Sequence, residues 1–255
     1  MKDIILEKLA GIEKDNNVKI LYACESGSRA WGFASPDSDY DVRFIYIRTP
    51  EYYLSIDDPS DIIDLPVNEV LDISGWDIRK ALKLFRKSNP PLLEWLQSPV
   101  VYRRHERFHN EMSMLATEYF LPRACYNHYL NMAVNAFEGD LSGELVKIKK
   151  YFYALRPILA CLWTINKATL PPMEFEKLRV IITDAFIQQQ IDALVARKAQ
   201  ANEKQAISSI QPLQDFLAET IEYCRRNEDK TQVKKNESDV LNYLFRKYLD
   251  ASWEL

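Results

Sequence analysis

The residues best suited to chemistry lie in one stretch, ESGSRAWGFASPDSDYDVRFIYI (25–47). Gly27 and Ser28 stand where an apolar segment ends, and Asp39 and Asp41 stand where the next one begins. Glycine lets the backbone turn and approach a ligand closely, and amides at the start of a helix attract phosphate. The Ser28 hydroxyl either adds a hydrogen bond to a phosphate oxygen or only caps the helix. We favour a phosphate-binding turn at Gly27 and Ser28.

Asp39 and Asp41 are two residues apart in a segment that alternates between apolar and polar side chains. On a β-strand such residues point to the same face, so both carboxylates are directed the same way. Hard oxygen donors hold Mg²⁺ or Mn²⁺, and substrate phosphates complete the metal's shell. Two such ions, about 3.5–4 Å apart, clamp the attacking and leaving oxygens of an in-line displacement. The alternative is a pair of solvated surface aspartates.

Three predicted strands must position these residues. The first is the apolar run at 18–26, the second is the alternating segment at 39–48, and the third is a short strand at 69–73. Ser74 and Asp77 have the spacing of a helix capping box, which predicts a helix through IRKALKLFRKS. An amphipathic helix over residues 3–14 precedes the first strand.

Beyond about residue 100 the strand signal almost disappears. Helical periods follow near 105–119, 123–138, 143–168, 173–199, 204–226 and 238–251. Strands early and helices late predict an α+β fold, with a small mixed β-sheet and a helical C-terminal half. We place the catalytic domain at 1–118 and the helical domain at 119–255.

The bulk composition narrows the class of protein. The 255 residues carry a formal net charge of -4, whereas a protein that holds nucleic acid over a long footprint is usually basic. Any nucleic-acid contact is therefore expected to be local, such as one strand end. The four cysteines are scattered without metal-binding spacing, which favours free thiols in a reducing cytoplasm. No apolar run approaches the roughly 20 residues that span a bilayer.

The Gly-Ser turn followed by D-x-D on the next strand resembles the DNA-polymerase-β nucleotidyltransferase superfamily. More narrowly, three segments are similar to the RNA-repair-pathway polymerase-β family, RlaP: GSRAWGFASPDSDYDVRFIY, GWDIRKALKL and SNPPLLEWL. The resemblance extends over most of the chain and includes KKYFYALRP (149–157). It implies transfer of a nucleoside monophosphate from a nucleoside triphosphate to a hydroxyl, with release of pyrophosphate.

The superfamily also implies a third carboxylate, which acts as general base. Asp72 and Asp77 both qualify, and we favour Asp72 because the helix start already explains Asp77. Arg29 and Arg43 each have two interpretations, a structural counter-charge or a contact to substrate phosphate. We favour the phosphate contact for Arg29 and leave both open for Arg43.

Lys149, Tyr153 and Arg156 have the spacing of one helix face, opposite an apolar stripe. In related nucleotidyltransferases a helical domain often supplies cationic and aromatic groups to the incoming nucleotide. This face is expected either to bind the triphosphate and base or to be an ordinary solvated surface.

The acceptor hydroxyl is the least determined part of this interpretation. The narrower resemblance implies an RNA end, and a protein or small-molecule hydroxyl is the first alternative. The second alternative is a non-catalytic nucleotide-binding module. The presence of both aspartates of the D-x-D argues against it.

Overall fold

The computed structural model describes residues 1–57, 60–66, 70–200, 202, 205–231 and 235–253. Its helices and strands, in chain order, are α1 (Lys2–Asn16), β1 (Val18–Glu25), α2 (Gly27–Trp31), β2 (Tyr40–Arg48), α3 (Pro50–Tyr53), β3 (Ile62–Asp64), β4 (Leu71–Asp77), α4 (Ile78–Arg86), α5 (Pro90–Trp95), β5 (Val101–Arg104), α6 (Glu106–Tyr119), α7 (Pro122–Asp140), β6 (Leu145–Lys147), α8 (Ile148–Lys167), α9 (Phe175–Leu178), α10 (Ala185–Gln200), β7 (Ala206–Ser208), α11 (Gln211–Arg226) and α12 (Asp239–Trp253).

The chain forms two compact units. The first, which we call the sheet unit, comprises Met1–Gly27, Asp39–Tyr119 and Lys235–Leu255. The second, the helical unit, comprises Ser28–Ser38 and Phe120–Lys234. This division differs from a single boundary after residue 118, because an early segment joins the helical unit and the C-terminal helix joins the sheet unit.

A five-stranded mixed sheet forms the centre of the sheet unit, in the order β3-β4-β2-β1-β5. Strands β2 and β4 are parallel, and the other neighbouring pairs are antiparallel. This sheet, with the helices that follow, confirms the predicted α+β fold class. Strand β5 was not predicted, and the third strand begins at Leu71 rather than at residue 69, which lies outside the described residues.

Apolar alternation explains how the sheet is covered on one face. Buried side chains of β2 and β4 pack with the buried stripe of α1 in a single core cluster, whose helical members are Ile5, Leu9 and Ile12. At Gly75 a Cβ atom would lie 2.1 Å from the ring of Phe44, so only glycine fits beside this ring. The close fit brings β4 and β2 together along the part of the sheet that carries the candidate carboxylates.

The predicted capping box at Ser74 and Asp77 is wrong in detail. Strand β4 continues through Ser74, and Asp77 is itself the N-cap of α4. Its Oδ1 accepts a hydrogen bond of 2.8 Å from the backbone N–H of Arg79. Parallel pairing with β2 extends the strand three residues beyond the expected helix start.

The helical unit is built around α8, whose Phe152 and Leu155 are fully buried. This helix packs against α7 and α11. The helix predicted over 143–168 begins only at Ile148, because β6 pairs with β7 in a short antiparallel ladder. The period over 173–199 is divided between α9 and α10. None of the helices in the described ranges is long and apolar enough to cross a membrane.

Candidate active site

Two of the predicted carboxylates lie side by side in the sheet unit. Asp41 is the second residue of β2 and Asp72 is the second residue of β4, and the two are register partners in the parallel pair. Side chains at partnered positions of adjacent strands extend from the same face of the sheet. Asp39 comes just before β2 and is exposed to solvent. The local pairing of β2 and β4 therefore brings together residues that are 31 positions apart in the sequence.

The guanidinium of Arg43 bridges the two carboxylates. Its Nη2 lies 2.6 Å from Asp72 Oδ2 and 3.3 Å from Asp41 Oδ1. Its Nη1 donates to the carbonyl oxygens of Val42 at 3.0 Å and Asp72 at 3.3 Å. Of the two interpretations that the sequence left open for Arg43, this geometry favours the counter-charge.

Gly27 is held directly against one of these carboxylates. Its φ is +60°, in the left-handed region that side chains rarely adopt. A Cβ atom at this position would lie 2.1 Å from Asp41 Oδ2. Backbone conformation and space thus both require glycine here, and the absence of a side chain lets the turn after β1 approach the carboxylate.

Burial raises the pKa of the Asp41 carboxyl above its ordinary value. The nearby Arg43 charge lowers the pKa, while the negative charges of Asp72 and Asp39 raise it further. A carboxylate in this position favours an added cation, because a positive charge relieves both the burial and the repulsion.

Ser28 and Arg29, which the sequence predicts to bind phosphate, form hydrogen bonds within the helical unit. In the helical unit, Arg29 donates from Nη2 to the carbonyl oxygen of Ser38 at 2.6 Å and from Nε at 3.2 Å. The carbonyl oxygen of Ser28 accepts from the backbone N–H groups of Gly32 and Phe33, both at 3.1 Å. Arg29 therefore braces the segment that leads to Asp39.

A cavity of about 360 Å³ lies within the helical unit. Trp31, Tyr153 and Arg156 line it, with Met132 and Pro157. The cavity is largely apolar and aromatic, which is the usual character of a small-molecule pocket, and Asp140 also lines it.

Arg156 is not on a solvated helix face. It is 3% exposed, its guanidinium lies 4.5 Å from the centre of the Trp31 ring, and Nε donates to the Met173 carbonyl oxygen at 3.3 Å. Tyr153 is 38% exposed and meets Trp31 edge to face. Lys149 is half-buried on the same helix and is not among the described residues that line the cavity.

A sequence match over nearly the whole chain identifies the family. The model of RlaP, the RNA repair pathway DNA polymerase beta family, matches residues 1–247. The chain belongs to this family. An RlaP chain is a polymerase-β-like nucleotidyltransferase, so the predicted resemblance and enzyme class are confirmed.

Proteins similar to this RlaP chain include one from Bacillus subtilis and one from Exiguobacterium sibiricum. YcgL, an uncharacterized protein of Bacillus subtilis (strain 168), is 44% identical over 256 residues, which cover 100% of this chain and 98% of YcgL. A nucleotidyltransferase-like protein from Exiguobacterium sibiricum 255-15 is 11% identical, with a TM-score of 0.32. That match covers 88% of this chain and 74% of the other.

The donor set of this RlaP chain fits a divalent cation. Asp41 and Asp72 are hard oxygen donors on adjacent strands, and the Arg43 guanidinium between them shows that their geometry accepts positive charge. Across the described parts of the chain, no group of three or more His, Cys, Asp or Glu side chains is already assembled as metal ligands. Arg43 supplies the positive charge between Asp41 and Asp72, and the negative charge of Asp39, the residue before β2, also acts on Asp41.

Asp77, the other candidate for the third carboxylate, occupies a different place. It is 2% exposed, five residues further along β4 than Asp72. Its Oδ2 accepts a hydrogen bond of 2.8 Å from the Tyr53 hydroxyl, and its Oδ1 caps α4. Burial raises the pKa of Asp77, which these hydrogen bonds lower in part. Its contacts account for a structural role.

One acidic residue near the site was missed by the sequence reasoning. Glu25 ends β1, is 1% exposed, and accepts a hydrogen bond of 2.7 Å from the backbone N–H of Asp41. The Tyr102 hydroxyl of β5 also donates to it. The only signal in the sequence is an acid at the end of a mostly apolar strand. Glu25 thereby fixes the main chain that carries Asp41.

Proposed function

We propose that this nucleotidyltransferase moves a nucleoside monophosphate from a nucleoside triphosphate to a hydroxyl at an RNA end. The acceptor oxygen forms a bond to the α-phosphorus, the bond from that phosphorus to the bridging oxygen breaks, and pyrophosphate leaves. The observation that carries the proposal is the pairing of Asp41 with Asp72 across β2 and β4, in a chain of the RlaP family.

In the sheet unit, we assign Asp39, Asp41 and Asp72 to Mg²⁺, with Mn²⁺ as the alternative ion. When bound, the metal neutralises phosphate charge and aligns the reacting oxygens. Asp72 also accepts the proton of the attacking hydroxyl as general base. Gly27 leaves space for the carboxylate beside it, and Arg43 holds the carboxylates in place until a cation is available.

In the helical unit, we assign Ser28, Arg29, Lys149, Tyr153 and Arg156 to nucleotide binding. The aromatic cavity next to Arg156 supports this assignment, because a ring stacked on a guanidinium suits a planar base. Lys149 would contribute charge toward phosphate. We expect Lys149→Gln and Tyr153→Leu to weaken nucleotide binding by about 1–3 kcal/mol in calorimetric titrations. Unchanged affinity in both variants would remove these two residues from the site.

The deciding experiment uses each labelled nucleoside triphosphate with Mg²⁺ and separate RNA, protein and small-molecule acceptors. We expect label to appear on RNA and to be absent with Asp41→Asn. Label on a protein or small molecule instead of RNA would identify that class of molecule as the acceptor. No label on any acceptor, together with intact nucleotide binding, would identify a non-catalytic nucleotide-binding module.

We also propose the cytoplasm as the location. All four cysteines are free and buried, which suits a reducing compartment.

A further inference from the structure

A second cavity, of about 330 Å³, lies between α4 and α12 in the sheet unit. Three cationic side chains line it, Arg79, Lys83 and Arg86, together with Ser238 and Asn242. No carboxylate in the described ranges lines this cavity. In a chain whose net charge is -4, such a local excess of positive charge indicates an anionic ligand.

Two acids lie near the cations, because Asp61 and Asp77 line an adjoining cavity together with Arg79 and Lys83. The guanidinium of Arg79 lies 4.8 Å from the Tyr53 ring centre, and Arg86 donates to the Ser238 hydroxyl. Lys83 is exposed. Among the described residues, none of these three forms an ion pair with a carboxylate. The nearest lysine, Lys80, is different, because it pairs with Asp61 at 2.8 Å.

The spacing of the cations points to a run of phosphates. Arg79, Lys83 and Arg86 follow the i, i+4, i+7 pattern of one helix face, and the first and last are about 10 Å apart along the axis. A single phosphate does not span that length. The half-buried ring of Phe245 at the same cavity adds a surface on which a base can stack.

The helix that lines the cavity, α4, begins at the opposite end of β4 from Asp72. Asp72 stands near the start of β4, and α4 begins directly after the strand ends at Asp77. Five strand residues span about 17 Å. A nucleic-acid strand whose end lies at Asp72 is long enough to reach from there to the start of α4.

We propose that the cavity lined by Arg79, Lys83 and Arg86 binds the phosphate backbone of a single-stranded nucleic-acid acceptor. This inference rests on the proposed function, in which the acceptor is an RNA end. It also agrees with the acidic net charge, because the contact needs only a few phosphates.

The test measures binding of a fluorescent single-stranded RNA to the full chain by anisotropy, over a series of salt concentrations. We expect Lys83→Glu to weaken binding at least about tenfold, the size of one charge-assisted contact. The slope of log affinity against log salt should fall by about 0.7 for one lost phosphate contact. Lys8→Glu, an equal charge change at an exposed position of α1, should stay within about twofold.

Two further probes distinguish the possible sources of phosphate, a duplex RNA and a labelled nucleoside triphosphate. The proposal is overturned if the wild type binds no single strand, if the duplex binds more tightly, or if both variants lose affinity equally. It is also overturned if Lys83→Glu weakens nucleotide binding and leaves strand binding unchanged. A wild type that binds the strand through Lys83 but binds no nucleotide would support the cavity and contradict the proposed function.

Discussion

The bridge from Arg43 to two carboxylates predicts how this protein responds to divalent cations. Arg43→Gln removes the guanidinium and leaves Asp41 and Asp72 facing each other. At an effective dielectric constant of about 20, one charge pair at 4 Å is worth about 4 kcal/mol. The three side chains are 20%, 32% and 31% exposed, so solvent screening reduces this energy. We expect the metal-free variant to lose about 1–3 kcal/mol of stability.

Added Mg²⁺ should reverse much of this loss. If the proposed metal site is correct, Mg²⁺ must compete with Arg43 for the same oxygens in the wild type, whereas Arg43→Gln lacks this competitor. A ligand at 100 times its dissociation constant stabilises a fold by about 2.7 kcal/mol. Urea denaturation with and without Mg²⁺ should therefore give a larger metal-dependent gain for the variant than for the wild type.

Arg48→Gln is the matched control on the same strand. Arg48 donates to the Asn16 carbonyl oxygen at 3.0 Å and lies over the Tyr52 ring, away from the carboxylate pair. This variant should lose stability without gaining metal sensitivity. If Arg43→Gln and the wild type gain equally from Mg²⁺, the guanidinium and the metal do not share a site, and the reasoning is wrong.

Four further substitutions test the site. Asp72→Ala should reduce the rate of the chemical step far more than it weakens nucleotide binding. Asp77→Ala should mainly lower the stability of the fold, by about 0.5–2 kcal/mol. If transfer assays and urea denaturation give the reverse pattern, Asp77 is the general base and Asp72 is structural. Gly27→Ala should abolish transfer and lower the melting temperature, since its Cβ would meet Asp41; near-normal transfer would contradict this. Burial raises the pKa of Asp41. The metal-free wild type should therefore lose stability relative to Asp41→Asn as pH rises above about 4. Parallel profiles of stability against pH for the two proteins would show that ionising Asp41 does not destabilise the fold.

Local patterns were sufficient for the features that depend on neighbouring residues. Alternation located β2, which begins at Tyr40 rather than at Asp39. The Gly-Ser turn with D-x-D remains a prediction of the catalytic carboxylates. The later helices followed from their apolar period. The division into units was not accessible in this way. Phe33 stacks on Phe152 with ring centres 4.5 Å apart and meets Phe175 edge to face, and no local pattern identifies such distant partners.

The short strands were also not predicted, because they pair with strands that are distant in the sequence. Strand β5 has four residues and pairs with β1, nearly 80 residues earlier in the chain. Strands β6 and β7 have three residues each and lie within segments that have a helical period. A strand this short contains too few residues to establish an alternation, so hydrogen bonding to a distant partner decides its conformation.

Glu25 shows why a motif can be recognised while its support is overlooked. The sequence presents an acid at the end of an apolar strand, where a solvated carboxylate is the ordinary expectation. Its side chain has partners that are distant in the sequence, among them Asp41 at a separation of 16 residues and Tyr102 at a separation of 77. Because Glu25 holds the backbone of Asp41 rather than its side chain, it leaves the Asp41 carboxylate available to Arg43 or to a cation. In the proposed mechanism the aspartates supply the chemistry, and the buried Glu25 fixes the main-chain position of Asp41.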